Sequence, residues 1–457
     1  MKPEVTLKFL GGAGTVTGSK FWIKTSELQL MVDCGMFQGL KELRQLNWSD
    51  LPVDVAAIDY ILLTHGHLDH VGYLPRLLKQ GFKGEILGTV PTLAIAAIVL
   101  KDSAKIHEEE AEKANKEAYS KHKPALPLYT TKDAENTIAK FKSVELSKWT
   151  SLSENISMRF QYNGHIIGAT FIELDINGKR FVFSGDVGGT NDYLLDNPKQ
   201  PEWADYLVLE STYGNKLHPV EDVETIFVEL INRTLNSQGN LIIPSFAVER
   251  LQTLMYLFYK LYKERRIPNI PIYVDSPMGA NVLEVFKQFP TWHKLQVSEY
   301  RAMCKHVTIV SSYKETWETI DDKRPKVVIA GSGMVTGGRV LTYLQQFIDN
   351  PTTTVLLAGY QAEGTRGREL LDGAHEIKFY GKYYPVRARI EHIESLSAHA
   401  DQNELLHWLS RVKNIPERVF LVHGEPSAQN AFRVKLETTL KWHIKVPKLN
   451  EEVRLIV

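Results

Sequence analysis

The sequence is short of several things. It has only two cysteines in 457 residues, Cys34 and Cys304, far apart and in no Cys-x-x-Cys pair. That argues against a disulfide framework and fits a reducing cytosol. It has no net charge, with 54 lysines and arginines balancing 54 acids. Bulk charge therefore gives no support for a nucleic-acid partner, and any basic footprint must be local. The opening MKPEVTLKFLGG has no apolar core of signal-peptide length. The longest apolar run, Leu93 to Leu100, is far too short to span a bilayer. A cytoplasmic protein with no membrane partner is expected. Low-complexity segments, Pro/Ser-rich linkers and internal repeats are absent as well. What remains is an ordinary globular composition, 43% apolar and 24% charged, at a length that suits two domains or three.

Against that background one stretch stands out, YILLTHGHLDHV from Tyr60 to Val71. Ile61, Leu62 and Leu63 read as a buried strand. It stops at Thr64, and His65, His67, Asp69 and His70 follow within six positions. Imidazole nitrogens and carboxylate oxygens are the ligands that zinc and similar metals take. Gly66 allows the backbone to turn tightly between the first two histidines. His65 and His67 can converge on one ion, while Asp69 and His70, a turn later, aim elsewhere. The spacing suggests two ions side by side.

The rest of the chain repeats the plan of a strand followed by a ligand-type residue. Residues 4–35 alternate as three strands, with Gly11, Gly12, Gly14 and Gly18 crowded in one loop and Asp33 ending the third strand. A buried acid there needs a partner, and a metal-bound histidine is one option. A helix begins near Tyr73, a strand covers Gly84 to Leu87, and a long helix opens near Pro91. Its charged part, Lys101 to Lys121, reads as a solvated face with Glu–Lys pairs. Residues 157–187 return to strand pattern. There His165 precedes an apolar strand, Asn177-Gly178 makes a hairpin turn, and FVFSGDVG places Asp186 after another strand. His165 could complete a three-histidine site with His65 and His67, and Asp186 could bridge that ion to the one held by Asp69 and His70. Near the end, IESLSAHADQ carries Ser397, His399 and Asp401, and RVFLVHGEP is a strand ending in His423, a fitting further ligand for the second ion.

Between these lies an α/β region, about Tyr206 to Pro385, that reads as alternating strands and helices. It opens on Glu210 at a strand end. Ser245, Glu249 and Arg250 follow another strand. Two glycine loops after strands carry arginine: Ser332, Gly333, Thr336, Gly337, Gly338 and Arg339 in one, Gly364, Arg366 and Gly367 in the other. Backbone NH groups in such loops favour an anion such as phosphate.

HGHLDH, the later GH and SGD resemble the metallo-β-lactamase superfamily. With ESTYG, PSFAVERLQ, GSGMVTGGR, SAHAD and LVHGEP they resemble its β-CASP branch, whose members are nucleases. The nearest likeness is to bacterial and archaeal RNA-processing nucleases related to the mRNA 3′-end cleavage endonuclease. The resemblance implies an α/β fold: a metallo-β-lactamase αβ/βα sandwich in residues 1–205 and 386–457, interrupted by a β-CASP insert at 206–385. It implies two zinc ions per chain, one on His65, His67 and His165, the other on Asp69, His70 and His423, with Asp186 bridging and Asp33 behind a ligand. Asp69, Asp186, Glu210 and His399 would form the catalytic set, with His399 as general acid oriented by Glu210. Ser245, Arg250, Ser332, Gly333, Gly337, Gly338, Arg339 and Ser397 match motifs that contact RNA phosphates or frame the site in relatives.

The function so implied is zinc-dependent hydrolysis of single-stranded RNA, endonucleolytic with exonuclease action left open. The alternatives are a DNA nuclease of the same branch and a non-catalytic RNA-binding scaffold. The terminal histidine of LVHGEP favours RNA, since the DNA-acting members resemble one another in carrying a different residue there. A homodimer is left open as the assembly.

Overall fold

The computed structural model describes residues 4–117 and 122–457. The chain divides into two units. The first comprises Met1–Asn191, Asp196–Leu217 and His399–Val457; the second comprises Asp192–Leu195 and His218–Ala398.

Two seven-stranded sheets form the first unit among the described residues. In one, Glu4–Phe9, Phe21–Lys24 and Gln29–Val32 pair antiparallel as hairpins, and Tyr60–Leu62 and Glu85–Gly88 then add in parallel. In the other, Ile156–Tyr162, Thr170–Ile176 and Lys179–Phe183 form an antiparallel meander, joined in parallel by Tyr206–Glu210 and Arg418–Val422. Asn177 and Gly178 both have positive φ, 52° and 81°, as the two-residue hairpin turn requires. Strand alternation sends Leu7, Phe9, Phe21 and Leu62 from one sheet, and Met158, Phe160, Ile172 and Phe183 from the other, into a shared core. The second sheet's outer face is covered by helices Gln402–Leu409 and Pro426–Thr439, which bury Leu405, Trp408, Phe432 and Leu436 against Val182, Leu207 and Leu421.

The long helix runs Val90–Lys116, capped by the Thr89 hydroxyl and started by Pro91. Its charged face shows one Lys105–Glu109 pair at 3.8 Å. The part of the expected helix at 118–121 falls outside the described residues. No helix among the described residues is long and apolar enough to cross a membrane.

The second unit is a parallel sheet in the order Thr308–Ile309, Ile272–Asp275, Lys326–Ala330, Asn240–Pro244, Thr354–Ala358, Arg389–Ile393. Its central strands are wholly buried, as parallel strands covered on both faces must be. The boundaries of this unit differ from the expected 206–385. Tyr206–Glu210 lies between Lys179–Phe183 and Arg418–Val422 in the first unit's sheet, so the chain leaves that unit at Leu217 and rejoins it at His399. An apolar strand closing on Glu210 looks the same in sequence whichever sheet it joins.

Phe9 is fully buried between the sheets of the first unit, its ring 5.1 Å from that of Phe420. Phe9→Ala should cost about 3–5 kcal/mol, read as a lowered midpoint in urea with an unchanged slope; a loss under about 1 kcal/mol would mean that the sheets do not pack through this ring.

Candidate metal centre

Most chemical side chains of the first unit, His399 apart, stand where a strand ends. The strand Tyr60–Leu62 delivers Thr64 to His67, and the one-turn helix Leu68–Val71 carries Asp69 and His70. His165 follows Ile156–Tyr162, Asp186 follows Lys179–Phe183, Glu210 closes Tyr206–Glu210, and His423 follows Arg418–Val422. Glycines let these turns meet. A Cβ at Gly66 would press on the Ile95 side chain at 2.6 Å, and one at Gly35 would strike the Asp69 carbonyl. The clustered glycines near the N-terminus serve the same end: the carbonyl of Gly12 accepts the His423 amide at 2.6 Å, which seats that turn at its positive φ of 45°.

The result is three overlapping donor sets, each with ligand atoms within 4.8 Å of one another: His65, His67, His165 and Asp186; Asp69, His70, Asp186 and His423; and Asp186, Glu210 and His399. Asp186 belongs to all three. Its Oδ2 lies 3.5 Å from Nε2 of both His65 and His165, and its Oδ1 lies 3.3 Å from His70 Nε2 and 3.5 Å from His423 Nδ1. His67 Nδ1 closes the first set at 3.1 Å from His65 and 3.2 Å from His165. Asp69 Oδ2 closes the second at 3.3 Å from His423 Nε2. Within these sets, His70 Nε2 and Asp186 Oδ1 are buried without a hydrogen bond. Buried polar atoms of this kind need a partner, and imidazole-plus-carboxylate donors suit zinc. The residues present therefore fit a pair of divalent cations.

Asp33 holds the arrangement from behind. At φ 57°, its Oδ1 accepts the Thr64 amide at 2.8 Å, and its Oδ2 accepts the Thr64 hydroxyl at 2.8 Å and faces His70 Nδ1 at 2.7 Å. His70 is thereby turned with Nε2 inward. Three supporting residues escaped the sequence reading. Asn163 donates its amide to the carbonyls of Ser184 and Asp186, at 2.7 and 2.6 Å, and clamps the SGD turn. Thr64 meets His65 Nδ1 at 3.0 Å, and Thr212 meets His423 Nδ1 at 3.1 Å. The only signal for these was a small polar residue next to each ligand turn.

The protein groups by themselves polarise one another. Burial drives His65 well below its usual value and His67 down to about 4, so both present neutral nitrogens. Burial opposes ionisation of Asp69 and Asp186, but hydrogen bonding to His423 and the charges of His70 and His423 take Asp69 down to about 2. The imidazoles of His423, His70 and His65 likewise hold Asp186 well below the carboxylate range. His70, between Asp186 and Asp33, goes well above the histidine range despite its burial. His399 is moved up to about 9: desolvation resists, and Glu210, 3.3 Å from Nδ1, prevails. Glu210 is itself fixed by the amides of Val187 at 2.6 Å and Thr212 at 3.3 Å.

Several donors in the loops of the second unit are taken up within the unit itself. Ser245 and Ser332 do follow adjacent strands, Asn240–Pro244 and Lys326–Ala330. The Ser332 hydroxyl, however, accepts the amides of Thr336 and Gly337, each at 3.1 Å, so those NH groups serve the loop. Gly333 and Gly338 are required by packing, since a Cβ would meet the Phe246 ring at 2.5 Å or the Gly331 carbonyl at 2.6 Å, while Gly337 is open. Arg339 donates to the Thr316 hydroxyl at 2.5 Å, pairs with buried Asp275 at 3.6 Å and lies 3.7 Å from the Tyr313 ring. Arg366 donates to the carbonyls of Lys378, Val335 and Thr336. Arg250 is buried at the start of helix Arg250–Lys263, and the Ser397 amide donates to the Glu394 carbonyl at 3.1 Å.

Comparison with known families gives three consecutive matches: the metallo-β-lactamase superfamily over residues 16–222, the Beta-Casp domain over 251–370, and a Zn-dependent metallo-hydrolase RNA specificity domain over 383–447. The chain is similar to "Ribonuclease TTHA0252" of Thermus thermophilus, 33% identical over 91% of this chain and 92% of that one. It is 30% identical to an "RNase J-like protein" of Methanocaldococcus jannaschii over 97% and 98% of the two chains. It is 27% identical to "Transcription termination factor FttA" of the same organism over 99% of this chain and 72% of that one. A crystal structure of a protein of unknown function from Enterococcus faecalis shares the fold, with a TM-score of 0.55 at 13% identity over 99% and 100% of the two chains.

Removing the support behind His70 should be felt at the metal. Asp33→Ala should lower zinc affinity by about 10–100-fold in competition with a chromophoric chelator. An unchanged affinity would show that His70 keeps its orientation without Asp33.

Proposed function

The chain belongs to the β-CASP branch of the metallo-β-lactamase superfamily, a family of hydrolases, and from that premise we propose that it is a zinc-dependent ribonuclease cleaving phosphodiester bonds within single-stranded RNA. One observation carries the reading: a single buried carboxylate, Asp186, faces two histidine-rich donor sets with its two oxygens. Two zinc ions would be held there, one by His65, His67 and His165, the other by Asp69, His70 and His423, with Asp186 common to both. When bound, such a pair supplies Lewis acidity toward a phosphodiester and a water nucleophile competent near neutral pH. The ribonuclease names of the relatives and the match to an RNA specificity domain support RNA as the substrate.

The chain's own groups do the remaining work. His65 and His67, kept neutral by desolvation, and Asp69 and Asp186, kept ionised by their histidine neighbours, are in the protonation states that ligation needs at pH 7, whereas His70, which Asp186 and Asp33 hold protonated, would release its proton on ligation. His399 carries a proton at that pH because Glu210 stabilises its cation. Its ring stands 4.5 Å from that of His165, at the margin of the donor sets. That position supports His399 giving its proton to the departing oxygen as the P–O bond breaks, while the attacking water releases a proton to solvent as the new P–O bond forms. Glu210 orients the imidazole as an acid partner does in other catalytic pairs. In the second unit, Ser245, Arg250 and the loop of Ser332, Gly333, Gly337, Gly338 and Arg339 are proposed to frame or contact the RNA backbone, together with Ser397. Open Gly337 would give backbone access, and Arg339 would brace the loop.

The test is incubation with 5′-labelled single-stranded RNA and the matching DNA, with and without chelator. Internal RNA fragments that vanish with chelator are expected. Stepwise shortening from one end would replace internal cleavage by trimming, and equal cleavage of DNA would overturn the RNA assignment.

Two variants separate the proton from the metal. His399→Ala should keep its zinc and lose about two to four orders of magnitude in turnover; near-normal cleavage by the zinc-replete variant would remove His399 from the reaction. In the wild type, activity should fall as pH rises through about 9, where the His399 proton is lost. Glu210→Gln removes the charge that raises this histidine, so that descending limb should move to lower pH; a limb that stays in place would leave Glu210 a structural acid only.

A further inference from the structure

The outer face of the second sheet changes character along its width. Under the helices Gln402–Leu409 and Pro426–Thr439 it is apolar, but beyond them the outward positions of Ile156–Tyr162, Thr170–Ile176 and Lys179–Phe183 include Arg159, Gln161, Glu173 and Arg180. These residues floor a cavity of about 600 Å³, walled by residues 198–203 and by Arg411. Its volume falls in the range of small-ligand sites. None of its residues belongs to the metal centre.

Charge is distributed unevenly inside it. Glu173 is buried and committed to two guanidinium groups, Arg159 Nε at 2.6 Å and Arg180 Nη1 at 3.3 Å, both of which also lie against the Trp149 ring at 4.6 and 4.4 Å. Arg180 Nε is buried and donates to nothing. Glu202 on the wall is paired with Lys413 at 2.8 Å. Lys199, by contrast, bonds to the neutral Ser147 hydroxyl at 2.9 Å and the Gln161 side chain at 3.4 Å, and Arg411 acts on the Glu202 carboxylate only through space, with no hydrogen bond between them among the described residues. Trp203 lines the same cavity with 47% of its surface exposed. The lining carries four cations, Arg159, Arg180, Lys199 and Arg411, against two carboxylates, Glu173 and Glu202, and this positive excess beside an exposed indole offers an anion contact and a stacking face together, the pairing by which single-stranded nucleic acid is held without sequence preference. An acidic peptide would use the cations but not the ring.

We propose that this cavity is a second RNA-contact site, seating one nucleotide of a single strand with its phosphate at Lys199 and Arg411 and its base on Trp203. The proposal rests on the ribonuclease reading above and extends it to how the strand is held away from the point of cleavage. Gln161 precedes His165 by four residues, so the cavity floor reaches within about 14 Å of that ligand along the chain. A strand of a few nucleotides can cover such a span.

The test uses zinc-loaded protein and a fluorescein-labelled single-stranded RNA with phosphorothioate linkages, which resist hydrolysis, read by anisotropy. Trp203→Ala and Arg411→Ala change exposed side chains, and circular dichroism checks that both remain folded. Trp203→Ala should weaken binding by about fivefold or more. Arg411→Ala should make the slope of log affinity against log salt shallower by about 0.7. Photo-crosslinking of 4-thiouridine RNA to the wild type should map to residues 198–203. Wild-type affinity in Trp203→Ala, or crosslinks that avoid this segment, would overturn the proposal while leaving cleavage intact. Wild-type protein that neither binds nor cleaves RNA would overturn both it and the ribonuclease reading.

Discussion

The structure of the first unit turns on the burial of one carboxylate. Asp186 is almost wholly shielded from water, and an isolated ionised carboxylate in that position would be prohibitively costly. Four imidazoles surround it at 3.3–3.5 Å, two on each oxygen. Those imidazoles are themselves buried and need orientation, which Asp33, Thr64 and Thr212 provide through hydrogen bonds from outside the cluster, while Asn163 clamps the turn that carries Asp186. The fold answers this demand by bringing five strand ends to one place. Turns after Tyr60–Leu62, Ile156–Tyr162, Lys179–Phe183, Tyr206–Glu210 and Arg418–Val422 can meet there because glycines let backbones approach where any Cβ would collide.

The same crowding separates the titrating groups into roles. Desolvation keeps His65 and His67 neutral, the form in which an imidazole can bind a metal, while Glu210 keeps His399 protonated, the form in which it could give a proton. Environments that push like residues apart in this way mark acid–base function. The third donor set, Asp186 with Glu210 and His399, overlaps the other two through Asp186 and so places the His399 imidazole beside them.

Much of this was legible in the sequence, because most of the chemical residues, His399 apart, sit just after an apolar strand and the spacing in HGHLDH leaves little freedom. Asp33 was readable for the same reason: an acid at a buried strand end demands a partner. Three things were not legible. Asn163, Thr64 and Thr212 act through single hydrogen bonds, and nothing in a small polar residue announces which neighbour it will meet. The arginine-glycine loops carry the composition of a phosphate cradle, yet the Ser332 hydroxyl occupies two of the amides, and Arg339 and Arg366 turn some of their donors to the unit's own hydroxyl and carbonyl groups. Composition reports which donors exist, not whether the fold has already used them. The boundary near Tyr206 failed to show for a related reason, since pairing partners far along the chain decide which sheet a strand joins.

The most direct measurement is a crystal structure of the protein with anomalous diffraction data at the zinc absorption edge. The account expects two peaks about 3.5–4 Å apart, one among His65, His67 and His165 and one among Asp69, His70 and His423, with Asp186 touching both. A single peak, or two that leave Asp186 outside their coordination spheres, would contradict it.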